Sequence, residues 1–272
     1  MSKKIFGVVG FPVKHSKSPD IYNYLFKKYN IDAMYIPIEL DEKQIDDFFN
    51  NYTHALSLAG INLTMPHKSW GAKYAKEPDD ASKLLGSVNT INLETGRGYT
   101  TDGMGLILSL KYQGIDIKNK NVVVLGAGGA AKSICYELSK EGVKELIILN
   151  RTKDKAVFLA DLLGDMAKGD SFNTLPFYIK ECDIIINCTS MGMTGKEEMD
   201  LSLFSSLSRS TVIYDVIYEP RQTRLIEYGK NKGCKTIGGI DMLICQALYA
   251  FEIFTGNPPC KEDRDELIDI LK

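Results

Sequence analysis

Short apolar runs alternate with amphipathic ones over the first hundred residues: KIFGVVG (4–10), SPDIYNYLFKKYN (18–30), AMYIPIEL (33–40), DEKQIDDFFNNY (41–52) and LAGINLT (58–64). Runs of this length with these periods predict strands and helices in turn, the β-α-β pattern of a mostly parallel α/β domain. Ser18, followed by Pro19 in the first turn, and Asp41 are the expected helix caps. SVNTINLETGRGYTTDG (87–103) predicts a strand pair with a turn at Thr95 and Gly96, and a helix follows over about 104–112. After the linker-like QGIDIKNK the pattern restarts at Asn121. NVVVL, ELIILN, CDIIIN and STVIYD are continuously apolar, as parallel strands covered on both faces are. The end of the chain, DMLICQALYAFEIFTG and EDRDELIDILK, reads as helical. The pattern predicts two α/β domains, the second restarting at Asn121, and periodicity alone does not say on which of them the C-terminal helices pack.

Composition narrows the function. The 272 residues are 44% hydrophobic, enough for substantial cores, and 33 basic against 35 acidic residues leave a net charge of -2. No global positive field attracts nucleic acid or a membrane surface, so the expected partner is a small molecule. No apolar stretch reaches a membrane span or a secretory signal, and a cytoplasmic protein is expected. The six cysteines contain no Cys-x-x-Cys pair and lie mostly in apolar runs. They read as reduced core residues, and no metal site is assigned.

VVVLGAGGAAKS places Gly126, Gly128 and Gly129 between a buried strand and a helix. Glycines there allow the tight turn and let the N–H groups of the helix start approach a pyrophosphate, while Ala131 takes the third fingerprint position. An NAD site would carry an acid at the end of the next strand. This chain has Asn150 and Arg151, with Lys153 and Lys155 beyond, and Asp154 among them. A guanidinium suits a ribose 2′-phosphate, so NADP is the expected cofactor. Hydride transfer to a ketone also requires a proton donor. INLTMPHK and YTTDG end runs at loops, where Lys68 and Asp102 could pair, but on these residues alone His67 stands equal to Lys68.

These motifs together resemble the shikimate dehydrogenase family. GFPVKHSKSPDIYN, GINLTMPHK, GSVNT, TTDGMG, LGAGGAAKS, NRT, NCTSMGM, DVIYEPRQTRL and GGIDMLICQALYAFEIFTG occur in family order, from about Gly7 to Gly256. The resemblance implies reversible NADPH-dependent reduction of 3-dehydroshikimate to shikimate in aromatic amino-acid synthesis, with Lys68 as catalytic lysine and Asp102 as its acidic partner. It implies that Ser16 and Ser18 hold the substrate carboxylate, that Asn62, Thr64, Asn89 and Gln246 hydrogen-bond ring hydroxyls, and that Tyr218 lies on the substrate side. Gln246 further implies that the C-terminal helix returns to the first domain, so the organisation expected from the resemblance is a substrate-binding catalytic α/β domain over 1–103, completed by C-terminal helices 239–272, and a Rossmann-type NADP-binding domain over 104–238. Ala127, Gly128, Gly129 and Ala130 match the pyrophosphate turn, with Gly126 before them. Asn150, Arg151, Thr152 and Lys155 match a 2′-phosphate clamp, and Thr189, Met191 and Gly239 the nicotinamide side. Two departures stand out: Tyr22 where the family usually has His, on a helix and expected to touch only the domain body, and Thr100 where it usually has Asn. A quinate/shikimate dehydrogenase of broader substrate and cofactor use is the alternative. Relatives that are monomers and relatives that are dimers leave both states open.

Overall fold

A computed structural model describes residues 3–258 and 260–271. The chain divides into two compact units, one made of residues 1–101 and 246–272, the other of residues 102–245.

In the first unit, β1 (Lys4–Gly10), β2 (Ala33–Glu39), β3 (Leu58–Leu63), β4 (Glu77–Pro78), β5 (Thr90–Asn92) and β6 (Arg97–Tyr99) form one sheet in the order β2-β1-β3-β5-β6-β4. β1 pairs in parallel with β2 and β3, whereas the β5–β6 hairpin is antiparallel to β3. The hairpin turns at Gly96, as the Thr95–Gly96 chemistry predicts. One core cluster joins Val9, Ile61, Leu63, Val88 and Ile91 to Ile45 and Phe48. The C-terminal segment supplies further core: Phe251 packs on Phe26 with centroids 5.8 Å apart, and Phe254 on Phe6 at 5.0 Å.

Two local expectations are corrected. Ser18 is the first residue of the helix Ser18–Lys28, not its cap. The cap position is Lys17, and Ser16 Oγ accepts the Ser18 N–H at 3.3 Å. The segment 41–55 is not one regular helix. Asp41 accepts from the Lys43 and Gln44 N–H groups, and a wide-turned Phe48–Tyr52 stretch interrupts two three-residue helical pieces. That wider turn places Phe48 in the core beside Ile45.

In the second unit, β7 (Asn121–Leu125), β8 (Glu145–Asn150), β9 (Ala167–Ser171), β10 (Ile184–Asn187), β11 (Val212–Asp215) and β12 (Lys235–Ile237) form an entirely parallel sheet in the order β12-β11-β10-β7-β8-β9. This is the doubly wound order, with its reversal between β7 and β10. Val122, Val124, Leu146, Ile148, Leu149 and Ile186 are fully buried, so both faces of the sheet are covered, and the apolar runs are continuous for that reason. The helices Asp102–Tyr112, Gly129–Lys140, Lys153–Leu163 and Arg224–Lys232 connect or flank the strands. The last turn of the unit opens the helix Gly239–Thr255, inside which the chain crosses back to the first unit. All six cysteines are free thiols; Cys135, Cys182, Cys234 and Cys245 are buried, and Cys188 and Cys260 half-buried. Among the described residues no helix is long and apolar enough to cross a membrane.

Candidate active site

In the first unit, three of the proposed ring-hydroxyl residues belong to one hydrogen-bonded chain. Asn62 stands on β3, Asn89 just before β5, and Gln246 on the returning helix. Asn62 Nδ2 donates to Thr90 Oγ1 at 2.9 Å, and Thr90 Oγ1 donates to Asn89 Oδ1 at 3.1 Å. Asn89 Oδ1 also accepts the Thr101 N–H at 2.8 Å, and Thr101 Oγ1 lies 3.3 Å from Gln246 Oε1. Thr90 and Thr101 have no exposed surface, and Asn62 and Asn89 little. Thr101 was not among the residues singled out from sequence, although its hydroxyl lies between Asn89 and Gln246 and it immediately precedes Asp102. Its place is set by partners 12 and 145 positions away, which no local pattern encodes.

Thr64 follows β3, where its N–H donates to the Val9 carbonyl. Lys68 opens the helix Lys68–Tyr74, half-buried, and its carbonyl accepts the Val88 N–H. The neighbouring His67 is fully buried. Its Nε2 lies 2.7 Å from the Leu40 carbonyl, an oxygen that can only accept, so Nε2 carries the proton and donates it there. His67 thus ties two loops together with its ring out of solvent. Ser16 lies in the loop after β1 and Ser18 at the amino end of an eleven-residue helix, an end that favours a negative charge. Asp102 is the first residue of the second unit and opens its first helix, with little exposed surface. Tyr218, after β11, is half-buried; burial, then the nearby Glu219 charge, pushes its phenol up.

The second unit holds the nucleotide features. Gly126 follows β7 with φ +108°, a conformation that favours glycine, and a Cβ there would meet the Cys188 carbonyl at 3.1 Å. Ala127 is buried, whereas a Cβ on Gly128 would point into open space. Gly128 stands just before the helix Gly129–Lys140, with Ala130 in its first turn, so the N–H groups of that turn are approachable by an anion. Asn150, Arg151, Thr189 and Met191 line one cavity of about 570 Å³, together with Ser171, Phe172, Asn173, Ser190, Gly195, Lys196 and Glu197. The positions on β9 and its exit had no motif to mark them; they enter because β9 pairs with β8. Asn150 Nδ2 donates to the Thr152 carbonyl at 2.9 Å, and Thr152 stands at the N-cap position, without a side-chain capping bond, of the helix on which Lys155 is exposed. Lys153 instead pairs with Asp170 at 2.9 Å, while Arg151 reaches Glu197 at 3.4 Å.

Asn187, at the end of β10, holds the Thr189–Met191 loop. Its Oδ1 accepts from the Thr189 N–H (3.0 Å) and hydroxyl (2.7 Å), and its Nδ2 donates to Asp215 Oδ1 at 3.0 Å. Asp215 is fully buried, and burial raises its carboxyl despite donors from Thr223, Ile217 and Asn187. Gly239 sits so close to the Val216 carbonyl that a Cβ would lie 2.1 Å from it.

A doubly wound sheet with an anion-accepting glycine turn, a cationic cavity beside its second strand, and a separate α/β unit carrying a buried amide network define a two-unit dinucleotide-binding α/β protein. Comparison with known proteins sharpens that class. Residues 8–91 match the shikimate dehydrogenase substrate binding domain, 108–223 the shikimate / quinate 5-dehydrogenase family, and 239–261 the shikimate 5′-dehydrogenase C-terminal domain. The shikimate dehydrogenase (NADP(+)) of Pyrococcus furiosus is 43% identical over 93% of this chain and 91% of its own. A shikimate dehydrogenase solved with NADP+ superposes with a TM-score of 0.89 at 35% identity, covering 99% and 96% of the two chains. The enzyme of Listeria monocytogenes, solved with shikimate and NAD, gives 0.88 at 33% over 99% and 96%. The chain belongs to the shikimate dehydrogenase family.

Proposed function

We propose that this protein is an NADP-dependent shikimate dehydrogenase that reversibly reduces 3-dehydroshikimate to shikimate, with Lys68 and Asp102 as the proton-transfer pair. The observation that carries the reading is the cavity at the end of β8. It offers Arg151 and Asn150 where an NAD-selective site would place a carboxylate, in a chain 43% identical to a relative named for NADP(+). The residues fit that cofactor: a pyrophosphate would lie against the open face of Gly128 and the first turn of Gly129–Lys140, and its 2′-phosphate against Arg151, Thr152 and Lys155. Thr189, Met191 and Gly239 would bound the nicotinamide. When bound, the cofactor supplies or accepts the hydride.

The remaining chemistry belongs to side chains of the chain itself. Ser16 and Ser18 would take the substrate carboxylate as neutral donors beside the positive end of a helix dipole. Asn62, Thr64, Asn89 and Gln246 would hold the ring hydroxyls, with Tyr218 on the same ligand. Lys68 would give its proton to the developing alkoxide in the reductive direction and take it back in the oxidative one, and the Asp102 carboxylate would hold the ammonium in line. The first unit, residues 1–101 with 246–272, is then the substrate-binding body, and the second, residues 102–245, the cofactor-binding one.

Reduced-nicotinamide absorbance tests this directly. Shikimate with NADP+ is expected to give the fastest turnover among the four combinations of shikimate or quinate with NADP+ or NAD+. Absence of turnover with shikimate would refute the reading, and equal rates with quinate would favour the broader quinate/shikimate activity. Lys68→Ala should retain NADPH binding while kcat falls by about 10²- to 10⁴-fold, the range for a lost general acid. Normal turnover would remove Lys68 from the mechanism.

A further inference from the structure

The amide of Asn62 is held from behind by a residue that no substrate motif contains. Tyr35, on β2 and 2% exposed, donates its hydroxyl to Asn62 Oδ1 at 2.7 Å. Its ring stacks flat on Tyr22, with centroids 4.2 Å apart and planes 4° from parallel. Burial, then the neighbouring Tyr22, drives the Tyr35 phenol well above its ordinary range, so it stays protonated and can donate at any working pH. Tyr22 is therefore not merely part of the domain body: its ring lies flat on that of Tyr35, and its buried hydroxyl, which makes no well-formed hydrogen bond among the described residues, also has Asn62 beside it, a neighbour that works against the upward push of burial on its phenol.

The direction of the hydrogen bonds follows from which atoms can donate. A backbone N–H only donates, so Thr101 N–H fixes the acceptor end of Asn89 as Oδ1. Thr90 has a single hydroxyl proton. With Asn62 Nδ2 donating to it, that proton goes to Asn89 Oδ1 at 3.1 Å, the nearer acceptor, rather than to Thr101 Oγ1 at 3.4 Å. The Asn62 amide keeps Nδ2 toward Thr90 because its Oδ1 is occupied by Tyr35. Without the Tyr35 hydroxyl, Asn62 Oδ1 is a buried acceptor without that donor. A flipped amide would then present oxygen to Thr90 and draw away the proton that Asn89 receives.

We propose that Tyr35 is a positioning residue for substrate recognition: its hydroxyl sets the Asn62 amide and, through Thr90, the sense of the hydrogen-bond chain that reaches Asn89, Thr101 and Gln246. Tyr35 thereby fixes the face that the Asn62 amide turns to the ligand, with Nδ2 toward Thr90 Oγ1 and the Asn89 carbonyl, while the Thr101 N–H holds the Asn89 amide on its own account. The inference rests on the assignment of Asn62 and Asn89 to the substrate.

The test is steady-state kinetics of Tyr35→Phe, Asn62→Ala and the double variant, with shikimate and NADP+. Phenylalanine keeps the stack on Tyr22, so thermal unfolding should stay close to that of the parent. Tyr35→Phe should raise KM for shikimate about 3- to 10-fold, the loss of one neutral orienting hydrogen bond, with kcat within about twofold and KM for NADP+ unchanged. Because Tyr35 acts through Asn62, the double variant should match Asn62→Ala alone. If Asn62→Ala raises KM and Tyr35→Phe does not, or if the two effects multiply, the positioning role is wrong while the site assignment survives. If Asn62→Ala itself leaves KM unchanged, the assignment fails and takes the inference with it. Should Tyr35→Phe not fold, Thr90→Val breaks the chain at its next link and must give the same KM shift, an unchanged KM overturning the proposal.

Discussion

Arg151 concentrates the cofactor question in one side chain. Its guanidinium lies in the cavity at the end of β8 and meets Glu197, both groups largely exposed at 88% and 78%. A phosphate arriving there must exchange for a solvated carboxylate, which holds the arginine only weakly. Arg151→Ala is expected to raise KM for NADP+ by roughly 10- to 100-fold, as loss of a charge-assisted contact does, and to leave KM for NAD+ nearly unchanged. Glu197→Gln should tighten NADP+ by about two- to fivefold. Equal weakening of both cofactors by Arg151→Ala would contradict the clamp. The cluster around Arg151 was legible because a helix start after a buried strand marks its own position. His67 shows the opposite case. Beside Lys68 in sequence it looks equally reactive, and only the distant Leu40 carbonyl and its complete burial set the two apart. Tyr35 and Thr101 were invisible for the same reason, since their partners lie 12 to 145 positions away.

Among the elements, the two strand ends β10 and β11 work as a pair. Asn187 bridges the Thr189 loop to the buried Asp215, which also accepts from Thr223. Removing that amide takes from a buried carboxyl one donor beside those of Thr223 and Ile217, and frees the loop. Asn187→Ala should therefore cost about 1–3 kcal/mol of stability and raise KM for the cofactor, with KM for shikimate little changed. Urea unfolding and cofactor-varied kinetics would check it; a shift in the shikimate KM alone would count against the assignment of that loop to the nicotinamide side. The strands of this parallel sheet could be read from sequence because burial on both faces leaves nothing polar between their ends. The first unit was harder. Its β5–β6 hairpin was legible from turn chemistry, but the antiparallel pairing with β3 and the wide turn at Phe48–Tyr52 depend on core partners that periodicity does not name.

At the scale of the whole molecule, the first unit closes only when the chain comes back to it. The final helix, Lys261–Ile270, is fastened by Asp263, which pairs with Lys28 at 2.8 Å and accepts the Tyr29 hydroxyl at 2.7 Å. Burial alone would raise this carboxyl, but Cys260, Lys28 and Tyr29 together outweigh it and hold it below the ordinary range. With its folded value depressed, the carboxylate contributes stability that is complete above its unfolded value of about 3.9 and is lost as pH falls through the folded one. Asp263→Asn should lower stability at pH 7 by about 1–3 kcal/mol and shrink that deficit below about pH 4, as followed by urea unfolding across the range. A deficit independent of pH would assign the loss to packing. The helix Gly239–Thr255 carries a different consequence. Gln246 shares it with Phe251 and Phe254, whose rings are wedged against Phe26 and Phe6. Those wedges set the rotation of the rod, and each residue added between Gln246 and Phe251 would swing the glutamine by about 100°, away from the Thr101 hydroxyl. Natural length variation in this protein is thus expected at its surface turns, while the spacing from 246 to 254 behaves as a fixed gear.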